Sequence, residues 1–180
     1  TKKEIICLIE SLRKNIPGLT LRTSVIIGFP GETDKEFNEL LTFLKDTRFE
    51  KLGAFIYSAE EGSKAYKFPR SVPDNIKNQR FDEVMKLQQK ISADINKSYM
   101  GKTVNVLIDE PCTIQNASGI FQVQGKPVEG MDNKFAGRTE GDAPEVDGCV
   151  YVSGHGVRVG EFRKVKITDT LEYDLIGEAV

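Results

Sequence analysis

The stretch SVIIGFPGETDKEF, residues 24–37, decides the fold. Val25-Ile26-Ile27 is apolar on both faces, as expected of a parallel strand covered by helices on one side and core on the other. Gly28-Phe29-Pro30-Gly31 follows as a rigid turn, and Thr33-Asp34-Lys35-Glu36 reads as a capping box opening a helix with Phe37, Leu40, Leu41 and Leu44 on its buried stripe. The unit is strand, tight turn, helix. Sheets built from such units bind ligands at the carboxyl ends of their strands. Alternation puts Arg22, Ser24 and Ile26 on one face, so Ile26 is placed to pack against an aromatic base. Gly28 and Gly31 would let the backbone pass close to a flat ligand, and Pro30 stiffens the turn. A tight turn without a ligand explains the same spacing equally well.

Working outward, Thr1-Lys2-Lys3-Glu4 is a second capping-box sequence, followed by Ile5, Leu8, Ile9 and Leu12 at one-faced helical spacing and by Pro17-Gly18 as a stop. Leu19 to Ile27 and Lys51 to Tyr57 read as strands. Pro73 and Asp74 open a long helix with Phe81, Val84, Met85, Ile91, Ile95 and Tyr99 on one face; its Lys and Arg residues are expected on the wet face. Helix, strand, helix, strand, helix is a β/α pattern with a parallel sheet. Two strands do not make a stable parallel sheet alone, so part of that domain is expected beyond these residues.

After Met100-Gly101 the period changes. Val104, Val106 and Ile108 alternate with Asn105, Leu107 and Asp109; Phe121 and Val123, Cys149 to Val152, Phe162 with Val165 and Ile167, and Leu175-Ile176 mark further short strands between glycine-rich connections. That pattern predicts a small antiparallel barrel over 100–180, preceded by an α/β domain over 1–99.

Hydrophobic residues at 39% and charged residues at 29% are ordinary for a globular chain of 180 residues, and no apolar run reaches membrane-spanning length. Charge is uneven. Residues 1–99 carry 17 Lys and Arg against 14 Asp and Glu, a net of +3; residues 100–180 carry 8 against 13, a net of −5. An acidic module is a poor match for phosphate and a better one for a basic protein. Glu140, Asp142, Glu145 and Asp147, with Pro144 among them, form the candidate docking loop. The three cysteines, Cys7, Cys112 and Cys149, are scattered without a C-x-x-C pair, which fits a reducing, cytoplasmic setting and gives no metal ligand set. His155, between glycines, reads as a loop residue, and Glu60-Glu61 as solvated acids.

IIGFPGETDKEF, FIYSAEEGS and MGKTVNVLIDE, in that order, resemble the methylthiotransferase branch of the radical S-adenosylmethionine enzymes. The resemblance covers nearly the whole chain. It implies that the first half is the later part of a partial β/α radical barrel and the second half a TRAM barrel that contacts substrate. GDAPEVDGCVYVSG and EYDLIGE resemble the branch that modifies an aspartate of a small-subunit ribosomal protein, more than the branch that modifies adenosine in transfer RNA. The acidic second half argues for the same branch, since ribosomal proteins are basic and transfer RNA is not.

The resemblance implies S-adenosylmethionine and two four-iron four-sulfur clusters as cofactors. By position it puts the adenine contact on Ile26, with Ser24 and Gly28 in the same motif, and brings Ile56 and Tyr57 near the adenine edge. The motif's acid is displaced to Glu32, which leaves Glu32 a role only at the helix N-terminus. Three departures follow. The CxxxCxxC motif that holds the cofactor-cleaving cluster is absent from these residues, so no catalytic residue is assigned and this chain alone is expected to be inactive. The family's amino-terminal domain is absent, as though the chain began after the fourth barrel strand. The stretch from Pro111 to Phe135 is longer than the resemblance leads one to expect, and reads as an added hairpin. Two other readings are a transfer RNA adenosine methylthiotransferase and a non-catalytic TRAM binding module; a CxxxCxxC motif upstream would separate the enzyme from the module.

Overall fold

The computed structural model describes residues 1–69, 71–112, 121–123, 126–128 and 134–180. The chain divides into two compact units, Thr1–Ser92 and Ala93–Val180. The first holds α1 (Lys2–Asn15), β1 (Arg22–Ile27), α2 (Asp34–Thr47), β2 (Lys51–Ile56) and most of α3 (Asp74–Lys97). Both expected capping boxes form. Thr1 accepts from the amide of Glu4, and Thr33 accepts from the amide of Glu36 while the Glu36 carboxylate accepts from the Thr33 amide at 2.8 Å. At the other end of α2, Arg13 donates to the carbonyls of Thr47 at 2.5 Å and Arg48 at 3.0 Å, a cation on the negative end of the helix dipole.

β1 and β2 pair in parallel, Ser24 opposite Gly53, Ile26 opposite Phe55 and Ile27 opposite Ile56. Ile27, Phe37, Leu44, Phe49 and Val84 form the core of this unit. Two expectations fail here. On α1, Ile9 and Leu12 are half-buried but Ile5 and Leu8 are exposed, so only one side of the apolar stripe is covered among the described residues. On α3 the buried stripe is Lys77, Arg80, Val84, Gln88, Ile91 and Ser92, so several of its polar side chains point inward, not to water. Hydrogen bonding makes this burial tolerable: Gln88 donates to the Phe49 carbonyl at 3.0 Å, and the two cations are paired as described below.

In the second unit, β3 (Thr103–Pro111), β6 (Lys134–Arg138), β7 (Val150–Ser153), β9 (Leu175–Ala179) and β8 (Phe162–Thr170) close a barrel in that order around Val106, Ile108, Val150, Val152, Val165, Ile167 and Leu175. The expected alternation of β3 holds, with Val106 and Ile108 buried. The barrel is not wholly antiparallel: β7 and β9 pair in parallel. Strand directions cannot alternate all the way around a closed ring of odd number, so a five-stranded barrel must contain a parallel pair. β4 (Phe121–Val123) and β5 (Lys126–Val128) pair separately as an antiparallel hairpin within the 111–135 stretch. The rest of that stretch, at 113–120, 124–125 and 129–133, lies outside the described residues. The second unit takes in the end of α3: Asn96 donates to the Leu171 carbonyl at 3.1 Å, and Tyr99 packs on the barrel core.

Candidate functional site

The carboxyl ends of β1 and β2 carry an exposed apolar face. Arg22, Ser24 and Ile26 lie on one side of β1, as alternation predicts, and Val25 and Ile27 on the other. Ile26 is 55% exposed beside its register partner Phe55, which is 60% exposed. The position opposite Ser24 is Gly53, and the Phe55 ring leans over it, 3.4 Å from where a Cβ on Gly53 would stand. Ile56 is the register partner of Ile27 and lies on the opposite side of the sheet, because side chains alternate with a period of two. Phe55 thus shares the face of Ile26, and Ile56 does not.

The turn after β1 is built from three devices. Glu32 donates its amide to the Phe29 carbonyl at 2.9 Å, which closes a four-residue turn with Pro30 second and Gly31, at φ +91°, third. That is the residue pattern of a type II turn, which explains Pro30-Gly31 without any ligand. Gly28 is at φ +75°, and a Cβ there would lie 2.4 Å from Cγ of Lys77. Its missing side chain makes room for Lys77 of α3. The third device is Glu32 itself. Its carboxylate accepts the Gly28 amide at 3.1 Å and a 2.6 Å hydrogen bond from Arg80. Glu32 thus braces the turn, while the first turn of α2 has its own acids, Asp34 and Glu36.

Arg80 and Lys77, one turn apart on α3, reach both strand ends. Arg80 forks between Glu32 and Asp34 at 2.6 Å each and lies 5.2 Å over the Phe37 ring. Burial acts to lower its pKa, but the hydrogen bonds it donates to Asp34 and Glu32 outweigh it and raise the value. Lys77 donates to the Tyr57 carbonyl at 3.4 Å and to Asp74 at 3.0 Å. The Tyr57 ring meets Phe29 edge-on at 5.2 Å, Phe29 meets Phe68 at 6.0 Å, and the Tyr57 hydroxyl is buried with no hydrogen-bond partner among the described residues. Sequence reasoning missed Phe55, Lys77 and Arg80. For the two cations the available signal was their i, i+3 spacing on the face that also carries Val84 and Ile91.

The cysteines do not fit a cluster. Cys7 is exposed on α1, while Cys112 and Cys149 are half-buried in the barrel unit. Burial, with Glu110 adding to it, pushes the Cys112 thiol up to about 11. Burial likewise pushes Cys149 up to about 12, against a hydrogen bond with Tyr151. Ligation needs thiolates, and these two are held as thiols. Among the described residues no three His, Cys, Asp or Glu side chains converge as metal ligands. His155, Glu60 and Glu61 are exposed.

The acidic loop separates into two kinds of residue. Asp142 accepts from the amide and hydroxyl of Thr139 at 2.9 and 2.6 Å, and Asp147 accepts from the Ala143 amide at 2.7 Å. Both are half-buried braces of the loop. Glu140 and Glu145 are exposed, and Glu145 takes the left-handed conformation at φ +61°. The four acids are neighbours, but only two stand free of the loop backbone's own hydrogen bonding.

Residues 126–180 match the family model described as TRAM domain. The chain is 42% identical over all of its length to a protein of Clostridioides difficile (strain 630) named ribosomal protein uS12 methylthiotransferase RimO, of which the match covers 37%. Proteins of the same name from Desulforamulus reducens and from Clostridium botulinum (strain Hall) are 40% and 44% identical over 99% and 98% of this chain, covering 37% and 36% of their own length. The chain thus spans a little over a third of the curated relatives it matches. From end to end the chain is similar to a segment of the ribosomal protein uS12 methylthiotransferases RimO, and its residues 126–180 match the TRAM model.

Proposed function

We propose that this chain supplies the carboxyl-terminal part of a cytoplasmic radical S-adenosylmethionine methylthiotransferase acting on an aspartate of the small-subunit ribosomal protein uS12. The observation that carries this reading is the similarity along the whole chain to proteins of that name. The parallel β1–β2 pair and its helices would be the later part of the radical barrel. No helix among the described residues is long and apolar enough to cross a membrane.

The face at the strand ends fits the cofactor's adenosine. Ile26 and Phe55 offer a flat apolar surface, Ser24 stands beside it, and the turn at Gly28 and the Tyr57 end border it. When bound, S-adenosylmethionine supplies the radical that opens an unactivated carbon–hydrogen bond and the methyl group of the product. This chain's residues orient it: the apolar pair excludes water from one side of the base, and the braced turn holds the rim. The iron–sulfur clusters would be held by residues outside this chain, because its own cysteines do not fit them. The barrel would present Glu140 and Glu145 to the basic substrate protein.

The test is to incubate the full-length enzyme with S-adenosylmethionine, a reductant and separately with uS12 and transfer RNA, and to read the products by mass spectrometry. A methylthio group on a uS12 aspartate is expected. A methylthio group on transfer RNA adenosine, with uS12 untouched, overturns the choice of substrate; binding of uS12 without any cofactor turnover overturns the enzyme.

A further inference from the structure

The turn that borders the candidate cofactor face is not held by its own sequence alone. It is held from α3, 48 residues away, through Arg80. Arg80 is 5% exposed and lies on the face that packs against the first unit's core. Its guanidinium is fixed on three sides: by Phe37 beneath it, by Asp34 at 2.6 Å and by Glu32 at 2.6 Å. The second oxygen of the Glu32 carboxylate accepts the Gly28 amide. The chain of contacts is therefore guanidinium, carboxylate, backbone amide of the residue that follows Ile27. A planar fork is the group that can hold two carboxylates at fixed angles at once; an ammonium ion serves as a single point. A half-buried carboxylate that bridges a backbone amide and a buried arginine couples the position of the one to the other.

We infer that Arg80 is a positioning residue for S-adenosylmethionine: it touches no ligand itself, and through Glu32 it sets the backbone at Gly28 beside the adenosine face. This rests on the assignment of that face to the cofactor under the proposed function. Arg80 is absent from every motif read in the sequence, and its role follows from geometry alone.

The experiment uses the full-length enzyme with its clusters and three forms of it: parent, Arg80→Met and Arg80→Lys. Two quantities are read besides thermal unfolding. One is amide hydrogen exchange of the peptide containing residues 24–33, without ligand. The other is the dissociation constant for S-adenosylmethionine. Arg80→Met should speed exchange in that peptide and weaken cofactor binding about tenfold, on the scale of one charge-assisted hydrogen bond. Arg80→Lys keeps a buried charge able to pair with one carboxylate, so it should unfold close to the parent. It should still exchange faster at residues 24–33 and bind the cofactor several-fold more weakly. If Arg80→Met does not fold, the lysine variant alone decides. Unchanged exchange at residues 24–33 in the folded variants overturns the inference, as does faster exchange with unchanged cofactor affinity. A parent that binds no S-adenosylmethionine while the variants exchange faster overturns the cofactor assignment instead, and leaves Arg80 as a brace of the turn.

Discussion

Replacing Gly28 with alanine separates two reasons why a glycine stands at the end of β1. The backbone there is left-handed, φ +75°, and an alanine in that region costs about 1–2 kcal/mol. The added Cβ would also lie 2.4 Å from Cγ and 3.0 Å from Cδ of Lys77, whose side chain is buried. Forcing a methyl group into a packed site adds about 1–3 kcal/mol. The total is about 2–5 kcal/mol, a large share of an ordinary domain's stability. Gly31 is the internal control. It is also left-handed, φ +91°, but nothing lies within 4 Å of a Cβ placed there. Gly31→Ala should therefore lose only the backbone part, about 1–2 kcal/mol. The assay is urea unfolding followed by far-ultraviolet circular dichroism, which reports on the helical first unit; the chain has no tryptophan to use instead. Lys77→Ala removes Cγ and Cδ, so the double variant Gly28→Ala/Lys77→Ala should recover most of the packing part. Equal losses at Gly28 and Gly31, or no coupling between positions 28 and 77, would refute the argument that α3 is what requires glycine at 28.

Three further expectations follow from the barrel unit and the sequence. Glu140→Gln/Glu145→Gln should slow association with uS12 at low salt and lose its effect at high salt, as rim charges do, whereas Asp142→Asn/Asp147→Asn should instead lower the melting temperature, because each carboxylate accepts a hydrogen bond from the loop; surface plasmon resonance and calorimetry on both pairs check this. Alkylation at mildly alkaline pH should label exposed Cys7 first and Cys112 and Cys149 slowly; and since burial holds Cys149 up at about 12 from 9.0, its contribution to stability is full below about pH 9 and lost as pH rises toward 12, a slope that Cys149→Ala should flatten in urea melts. Anaerobic reconstitution of the 180-residue chain alone should yield no cluster absorbance and no cleavage of S-adenosylmethionine, the motif for the cluster being absent from its sequence; a brown, active protein would refute this.

What could be read without coordinates is what depends on near neighbours in the chain. The capping boxes at Thr1 and Thr33, the stripe from Phe37 to Leu44 and the alternation of Val104, Val106 and Ile108 all formed as expected, because each is set by spacing within a few residues. The glycines and proline of residues 28–31 likewise announced a tight turn, and the carboxyl end of β1 a candidate site. The parts that failed are those settled by partners far along the chain. That Phe55 stands next to Ile26 went unread, because strand register is fixed by which residues pair and not by either strand alone. The parallel pairing of β7 and β9 follows from closing a ring of five strands, which no single strand's pattern contains. Lys77 and Arg80 looked like solvent-facing charges because charged side chains are rarely buried unless paired. Their partners are the Tyr57 carbonyl, Glu32 and Asp34, and only tertiary structure brings these to α3 and makes the burial of two cations tolerable.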